Sequence, residues 1–222
     1  MKPKRIILIR HGQSEGNVDK GIYAQKPDYT LEITAEGVQQ SLQAGVQLRE
    51  IVKEESVYFY VSPMWRTRGT FENIAKALDR NKIDYREEPR IREQEWGHFV
   101  APEQNLVINS ERDSYGTFYY RIPDGESAAD VFDRVSDFFG TLFRDFTLDD
   151  YPENTVIITH GMTLRIFLMR WFYWTVEEFE QYSNPYNCQI VVLEMNANNH
   201  YELQTTLEQR ENRNPFQRPI KL

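Results

Sequence analysis

Two histidines, His11 and His160, stand in matching surroundings. Each closes a short β-branched run, Ile6-Ile7-Leu8-Ile9 before Arg10-His11 and Val156-Ile157-Ile158 before Thr159-His160, and each is followed by a glycine, Gly12 or Gly161. Uninterrupted apolar runs of this length read as strands buried on both faces of a parallel sheet, and the carboxyl ends of such strands form the ligand crevice of open α/β sheets. Both imidazoles are therefore expected at one crevice. A third run, Val57 to Val61, leads through Ser62-Pro63-Met64-Trp65 to Arg66 at the opening of the next helix, where free amides and the helix dipole favour an anion. Arginine forks match phosphate oxygens in pairs, and a neutral imidazole is a nucleophile near pH 7. Arg10, Arg66 and the two histidines together suit phosphoryl transfer, which asks mainly for positioning and charge stabilisation and is expected here without a metal or other cofactor.

The elements that must hold these groups follow the same alternation. The spacing predicts a strand over residues 6–9, a turn over 10–17, and a helix capped by Thr34 with Val38, Leu42, Val46 and Ile51 on its inner side. A strand at Val57 to Val61, a helix over 65–78 and a short strand over 85–88 come next. Residues 97–126, with Gly97, Pro102, Gly116, Pro123 and Gly125 among aromatic and charged residues and no sustained period, read as a long loop or lid. Ser127 caps an amphipathic helix carrying Ala128, Val131, Val135, Phe138, Leu142 and Phe146 at helical spacing, with Asp130 at its third position. A strand over 155–159, a helix over 163–174 and closing strands over 190–195 and 201–204 complete the pattern. The expectation is an α/β fold, a three-layer α/β/α sandwich around a mostly parallel sheet, with one domain over residues 1–208 and a surface tail over 209–222.

Composition bounds the partners. The chain has 222 residues and a net charge of −8, so it lacks the basic surplus of a nucleic-acid or anionic-membrane binder. Its one cysteine, Cys188, excludes an internal disulfide and a Cys-rich zinc site and fits a reducing compartment. No stretch approaches the roughly 18 apolar residues of a membrane helix, and the basic N-terminus lacks a secretory apolar core. A cytoplasmic protein taking a small phosphorylated substrate is expected, with a homodimer left open. His98 and His200 lack the strand-histidine-glycine context and read as ordinary loop and strand residues, and Trp171 to Trp174 as packing residues.

The run Arg10-His11-Gly12-Gln13-Ser14-Glu15-Gly16-Asn17 is similar to the signature of the histidine phosphatase superfamily, in the branch that also contains cofactor-dependent phosphoglycerate mutases. Ser62-Pro63-Met64-Trp65-Arg66-Thr67, Ile91-Arg92-Glu93-Gln94-Glu95-Trp96-Gly97, Pro123-Asp124-Gly125-Glu126-Ser127 and Thr159-His160-Gly161 resemble its further motifs, in family order. The resemblance implies that His11 is the nucleophile, that Arg10, Arg66 and His160 with Gly161 bind the phosphoryl group, and that Asn17 assists as a polar ligand. It also implies that Glu93 is the proton donor, with Glu95 the alternative. After Glu93, the residues Gln-Glu-Trp-Gly-His-Phe depart from the mutase pattern, which favours a phosphatase. Phosphoglycerate mutase action and a non-catalytic phosphate-binding scaffold are the alternatives.

Overall fold

Residues 2–97 and 102–210 are described in the computed structural model of this chain. His98 and the tail from residue 211 onward, read above as a loop histidine and a surface segment, lie outside them. In chain order the elements are β1 (Arg5–Arg10), α1 (Glu15–Val18), α2 (Ala35–Val52), β2 (Val57–Val61), α3 (Trp65–Ala75), β3 (Ile83–Glu87) and α4 (Pro102–Tyr115). They continue with α5 (Ala128–Asp145), β4 (Asn154–Thr159), α6 (Gly161–Phe172), α7 (Val176–Glu180), β5 (Ile190–Met195) and β6 (Tyr201–Leu203).

The six strands form one sheet in the order β3-β2-β4-β1-β5-β6. β1, β4, β2 and β3 run parallel, and β5 pairs antiparallel with both β1 and β6. Alternation along the strands splits the core in two. Ile6, Leu8, Tyr60 and Ile157 face α5 and α6, whereas Ile7, Ile9, Phe59, Val61, Val156 and Ile158 face α2 and α3. The expected α/β/α layering and mostly parallel sheet are what the chain adopts. α5 is the most regular of its helices. Val131, Val135, Phe138 and Leu142 are fully buried, and Ser127 with Asp130 forms a reciprocal capping box, a device of the kind worth about 1 kcal/mol.

Three expectations are corrected. The inner face of α2 is Gly37, Ser41, Ala44, Gly45, Leu48 and Val52; of the four expected residues, Ile51 packs half-buried against that core, Val38 and Leu42 are half-buried, and Val46 is exposed. Close packing is the reason: a Cβ on Gly37 would lie 2.1 Å from the Gln13 carbonyl oxygen, and one on Gly45 would lie 2.8 Å from that of Ile74. Small residues, not large apolar ones, let α2 approach its neighbours. Secondly, the stretch 97–126 is not a loop throughout, because α4 occupies Pro102–Tyr115. That span has no glycine, and its proline falls at the first helical position, where the missing N–H costs nothing. Thirdly, Tyr173 is not a packing residue. It ends α6 in the left-handed region at φ 56° and is 83% exposed, while Trp171 stacks on Phe167 as expected. Other boundaries move by a few residues: Gly161 is the first residue of α6, and α3 ends at Ala75. Among the described residues no helix is long and apolar enough to cross a membrane.

Candidate active site

The sheet register puts the two histidines side by side. Arg10 is level with Thr159 and Val61 with Ile158, so β1, β4 and β2 end at one edge of the sheet. Backbone pairing continues past the strand ends, from His11 N to Thr159 O at 2.9 Å and from Ser62 N to Ile158 O at 3.0 Å. The rings of His11 and His160 consequently lie 5.1 Å apart, tilted by 59°.

His11 is 4% exposed, and its Nδ1 lies 2.7 Å from the Gly12 carbonyl oxygen. A carbonyl only accepts, so Nδ1 carries the hydrogen and Nε2 carries the lone pair. The loop around it is clamped. Gly12 N donates to Thr70 Oγ1, Asn187 Nδ2 donates to the His11 carbonyl, and a Cβ on Gly12 would lie 2.6 Å from Gly37 O. Burial, then the charges of Arg66 and Arg10, hold the His11 imidazole well below its ordinary pKa, so it is neutral at pH 7.

His160 is fully buried. Its Nε2 pairs with Ser62 Oγ at 2.8 Å, and its Nδ1 has no hydrogen-bond partner among the described residues. Burial, then Arg66, lowers its pKa well below the ordinary value too. Gly161 is bare for a local reason: a Cβ there would lie 2.9 Å from Asn184 Cγ.

Cations gather here in an otherwise acidic chain. Arg66, 3% exposed, and Arg10 flank His11. Arg10 donates from Nη1 to Pro185 O at 2.6 Å, and its buried Nε has no partner among the described residues. Lys20, whose Nζ donates to Gly16 O, is pulled down in pKa by burial and then by Arg10 and Arg66, placing a third cation in the same field. Asn17 Oδ1 accepts from Ser14 N, Ser14 Oγ and Asn187 Nδ2, which leaves its amide nitrogen as the end offered to an anion.

The acid segment is held by its backbone. Thr159 Oγ1 donates to Ile91 O, Thr163 Oγ1 to Arg92 O, and Arg134 to the carbonyls of Arg90 and Glu93. Glu126 closes the far side by accepting from Glu95 N and pairing with Arg92 and Arg134, and a Cβ on Gly125 would lie 2.4 Å from Glu95 O. Glu93 is half-buried and close enough to Arg10 and Tyr23 to shift both, whereas Glu95 is exposed.

These groups open on a cleft of about 1070 Å³. Arg10, His11, Asn17, Arg66 and Glu93 line it, along with Glu95, whereas His160 and Gly161 are buried and do not line it, the His160 ring lying beside that of His11. Lys20, Tyr23 and Asp28 of one wall and Asn109 of the other escaped the sequence reading, and Trp96, inside the acid motif, and Arg112 line the cleft as well. Arg112 is 8% exposed and stacks over Trp96 at 5.0 Å. Between α4 and α5, Phe118 packs into the core against Phe132 and Phe179, and Tyr119 is exposed. Ser62 lay inside a recognised motif without being singled out, and Asn187 carries no motif signal at all.

The model of the histidine phosphatase superfamily (branch 1) matches residues 6–206. The phosphoglycerate mutase-like protein AT74H of Arabidopsis thaliana is 45% identical over 217 residues, covering 90% of this chain and 77% of that protein. The broad-range acid phosphatase DET1 of Saccharomyces cerevisiae is 30% identical over 300 residues, covering 93% of this chain and 90% of its own. Among solved structures, a mycobacterial glucosyl-3-phosphoglycerate phosphatase superposes with a TM-score of 0.69 at 15% identity, covering 90% of this chain and 97% of that one. At that identity the likeness is one of fold.

Proposed function

The chain belongs to the histidine phosphatase superfamily (branch 1), and on that premise we propose that it is a metal-independent phosphomonoesterase acting through a phosphohistidine on His11. The observation that carries the reading is the His11 ring: buried, neutral, its Nδ1 hydrogen spent on Gly12 O and its Nε2 lone pair free beside Arg10, Arg66 and His160.

In the first step Nε2 attacks phosphorus, the bond from phosphorus to the alcohol oxygen breaks, and Glu93 gives its proton to the departing oxygen. In the second, the Glu93 carboxylate takes a proton from water as the water oxygen attacks phosphorus. The phosphorus–nitrogen bond then breaks, and phosphate and free His11 result. Arg10, Arg66 and the Asn17 amide neutralise the equatorial oxygens. With Ser62 Oγ donating to Nε2 of His160, its Nδ1–H, unpartnered among the described residues, is a further donor to them. Glu93 rather than Glu95 takes the proton role, because its charge is the one felt by Arg10. The leaving alcohol belongs to a small phosphorylated molecule in the cytoplasm, admitted past α4.

The kinship with the acid phosphatase of yeast supports hydrolysis, and the plant relative's name keeps mutase action as a second reading. A panel of sugar, nucleotide and generic phosphomonoesters, run with wild-type and His11→Ala protein, tests the proposal. Wild-type turnover with an acid-labile phosphoenzyme, and a loss of about 10³-fold or more in the variant, is expected. Unchanged turnover in His11→Ala overturns the mechanism. Interconversion of 3- and 2-phosphoglycerate without net phosphate release makes it a mutase, and phosphate binding with no turnover on any substrate makes it a scaffold.

A further inference from the structure

Arg66 is already paired. Its Nη1 donates to the Asp28 carbonyl oxygen at 2.8 Å and to Asp28 Oδ1 at 2.9 Å, and its Nη2 donates to Asp28 Oδ2 at 3.3 Å and to Met64 Sδ at 3.1 Å. Each terminal nitrogen of a guanidinium carries two hydrogens, so these contacts use every terminal N–H that Arg66 has. A fork engaged in this way has no parallel pair of donors left for a phosphate edge.

The segment that supplies Asp28 is lightly held. It consists of two 3-10 turns, Lys20–Ala24 and Asp28–Thr30, and neither buries a residue. Besides Asp28, its ties include an exposed ion pair from Lys26 to Glu15, the edge of Tyr29 against Trp65, and the Tyr23 ring over Gly16. Segments with few buried contacts open at low free-energy cost. The same segment forms one wall of the cleft through Lys20, Tyr23 and Asp28.

We infer that Asp28 is a latch: its carboxylate occupies on Arg66 the place of a substrate phosphoryl group, so that phosphate binding releases the 20–30 segment. This rests on the reading that Arg66 holds the phosphoryl group. A carboxylate and a phosphate present the same two-oxygen edge to a guanidinium. The phosphoryl dianion displaces the carboxylate because Arg10, Lys20 and Asn17 also attract it, and because two anions on one arginine repel each other. Asp28 therefore lowers apparent affinity by the fraction of molecules in which Arg66 is latched. It also closes the wall of the cleft when no anion is bound.

The test measures binding of inorganic phosphate by calorimetry on the full chain, in wild-type protein and in Asp28→Asn, Asp28→Ala and Arg66→Gln, with hydrogen exchange over residues 20–30 in parallel. Both Asp28 variants are expected to bind phosphate about tenfold tighter, as for a latch closed in roughly nine molecules of ten. Phosphate is expected to raise exchange of the segment in wild-type protein to the level seen in Asp28→Asn without phosphate. If Arg66→Gln loses phosphate while the Asp28 variants bind it no better than wild type, or worse, Asp28 positions Arg66 and the latch is overturned, with the role of Arg66 intact. If Arg66→Gln binds phosphate like wild type, the role of Arg66 falls and the latch falls with it.

Discussion

The floor of the cleft and its two walls are built differently. On the floor, His11, Arg66 and His160 are each under 5% exposed and sit at the ends of β1, at the start of α3 and at the end of β4. The acid segment bearing Glu93 is fastened to this floor by side chains flanking His160, Thr159 and Thr163, and by Arg134 of α5. The walls are the 20–30 segment and α4, which carry exposed Tyr29 (57%) and Leu106 (73%) and are joined to the body largely by ion pairs and aromatic edges. The difference teaches where rigidity is required. Under the proposed hydrolysis, the phosphoryl group, the same in every monoester, rewards a preorganised floor, whereas the varying alcohol falls to walls with fewer buried residues.

The sharpest way to break this division is Glu93→Gln. If Glu93 belongs to the floor as a proton donor, kcat for alkyl phosphates falls about 10²- to 10⁴-fold, while p-nitrophenyl phosphate, whose leaving group needs no proton, loses far less. Equal losses on both substrates would show that Glu93 serves only to hold the loop, and a large loss in Glu95→Gln would move the role there.

A smaller effect follows from the two buried imidazoles. Burial first, and Arg66 next, depress both pKa values below the ordinary 6.5, so the acidic limb of kcat/KM should fall below pH 6.5. Stability carries the same sign. Below about pH 6.5 the unfolded chain binds protons that the folded histidines refuse, so the stability these groups contribute is full above that pH and declines as pH falls beneath it. Urea midpoints measured from pH 7.5 to 5 should decrease; a flat or rising series in wild type would mean that the floor is not buried and neutral as described.

The smallest effect is expected on the wall. Leu106→Ala in α4 should change KM by a few-fold, by amounts that differ between alcohols, with the unfolding free energy kept within about 0.5 kcal/mol. A large loss of stability there would erase the distinction between wall and floor.

Legibility followed the same division. The floor was readable because buried strands write their ends in local sequence: an apolar run, then Arg10-His11-Gly12, or Thr159-His160-Gly161, or Ser62 leading to Arg66. α5 was readable because its apolar face repeats at 3.6 residues and Ser127 with Asp130 marks its start. α2 was misread because four of the six residues on its inner face, Gly37, Ser41, Ala44 and Gly45, are small ones that an apolar periodicity does not pick out. α4 was missed because glycines and prolines on either side of it drew attention away from a span that contains no glycine.

What the sequence alone determined, then, is the set of side chains gathered at the cleft floor and the layered sheet that gathers them, since strand periodicity and strand-end chemistry are properties of consecutive residues. Tertiary structure decided who stands beside those groups. That Asp28 sits on Arg66, that Asn187 joins Asn17 to the His11 carbonyl, and that Ser62 holds His160 are contacts between residues 38, 170 and 98 positions apart. Such pairings arise only when the chain closes on itself, because hydrogen bonds at this range depend on the packing of whole elements and leave no periodic trace in the residues that make them.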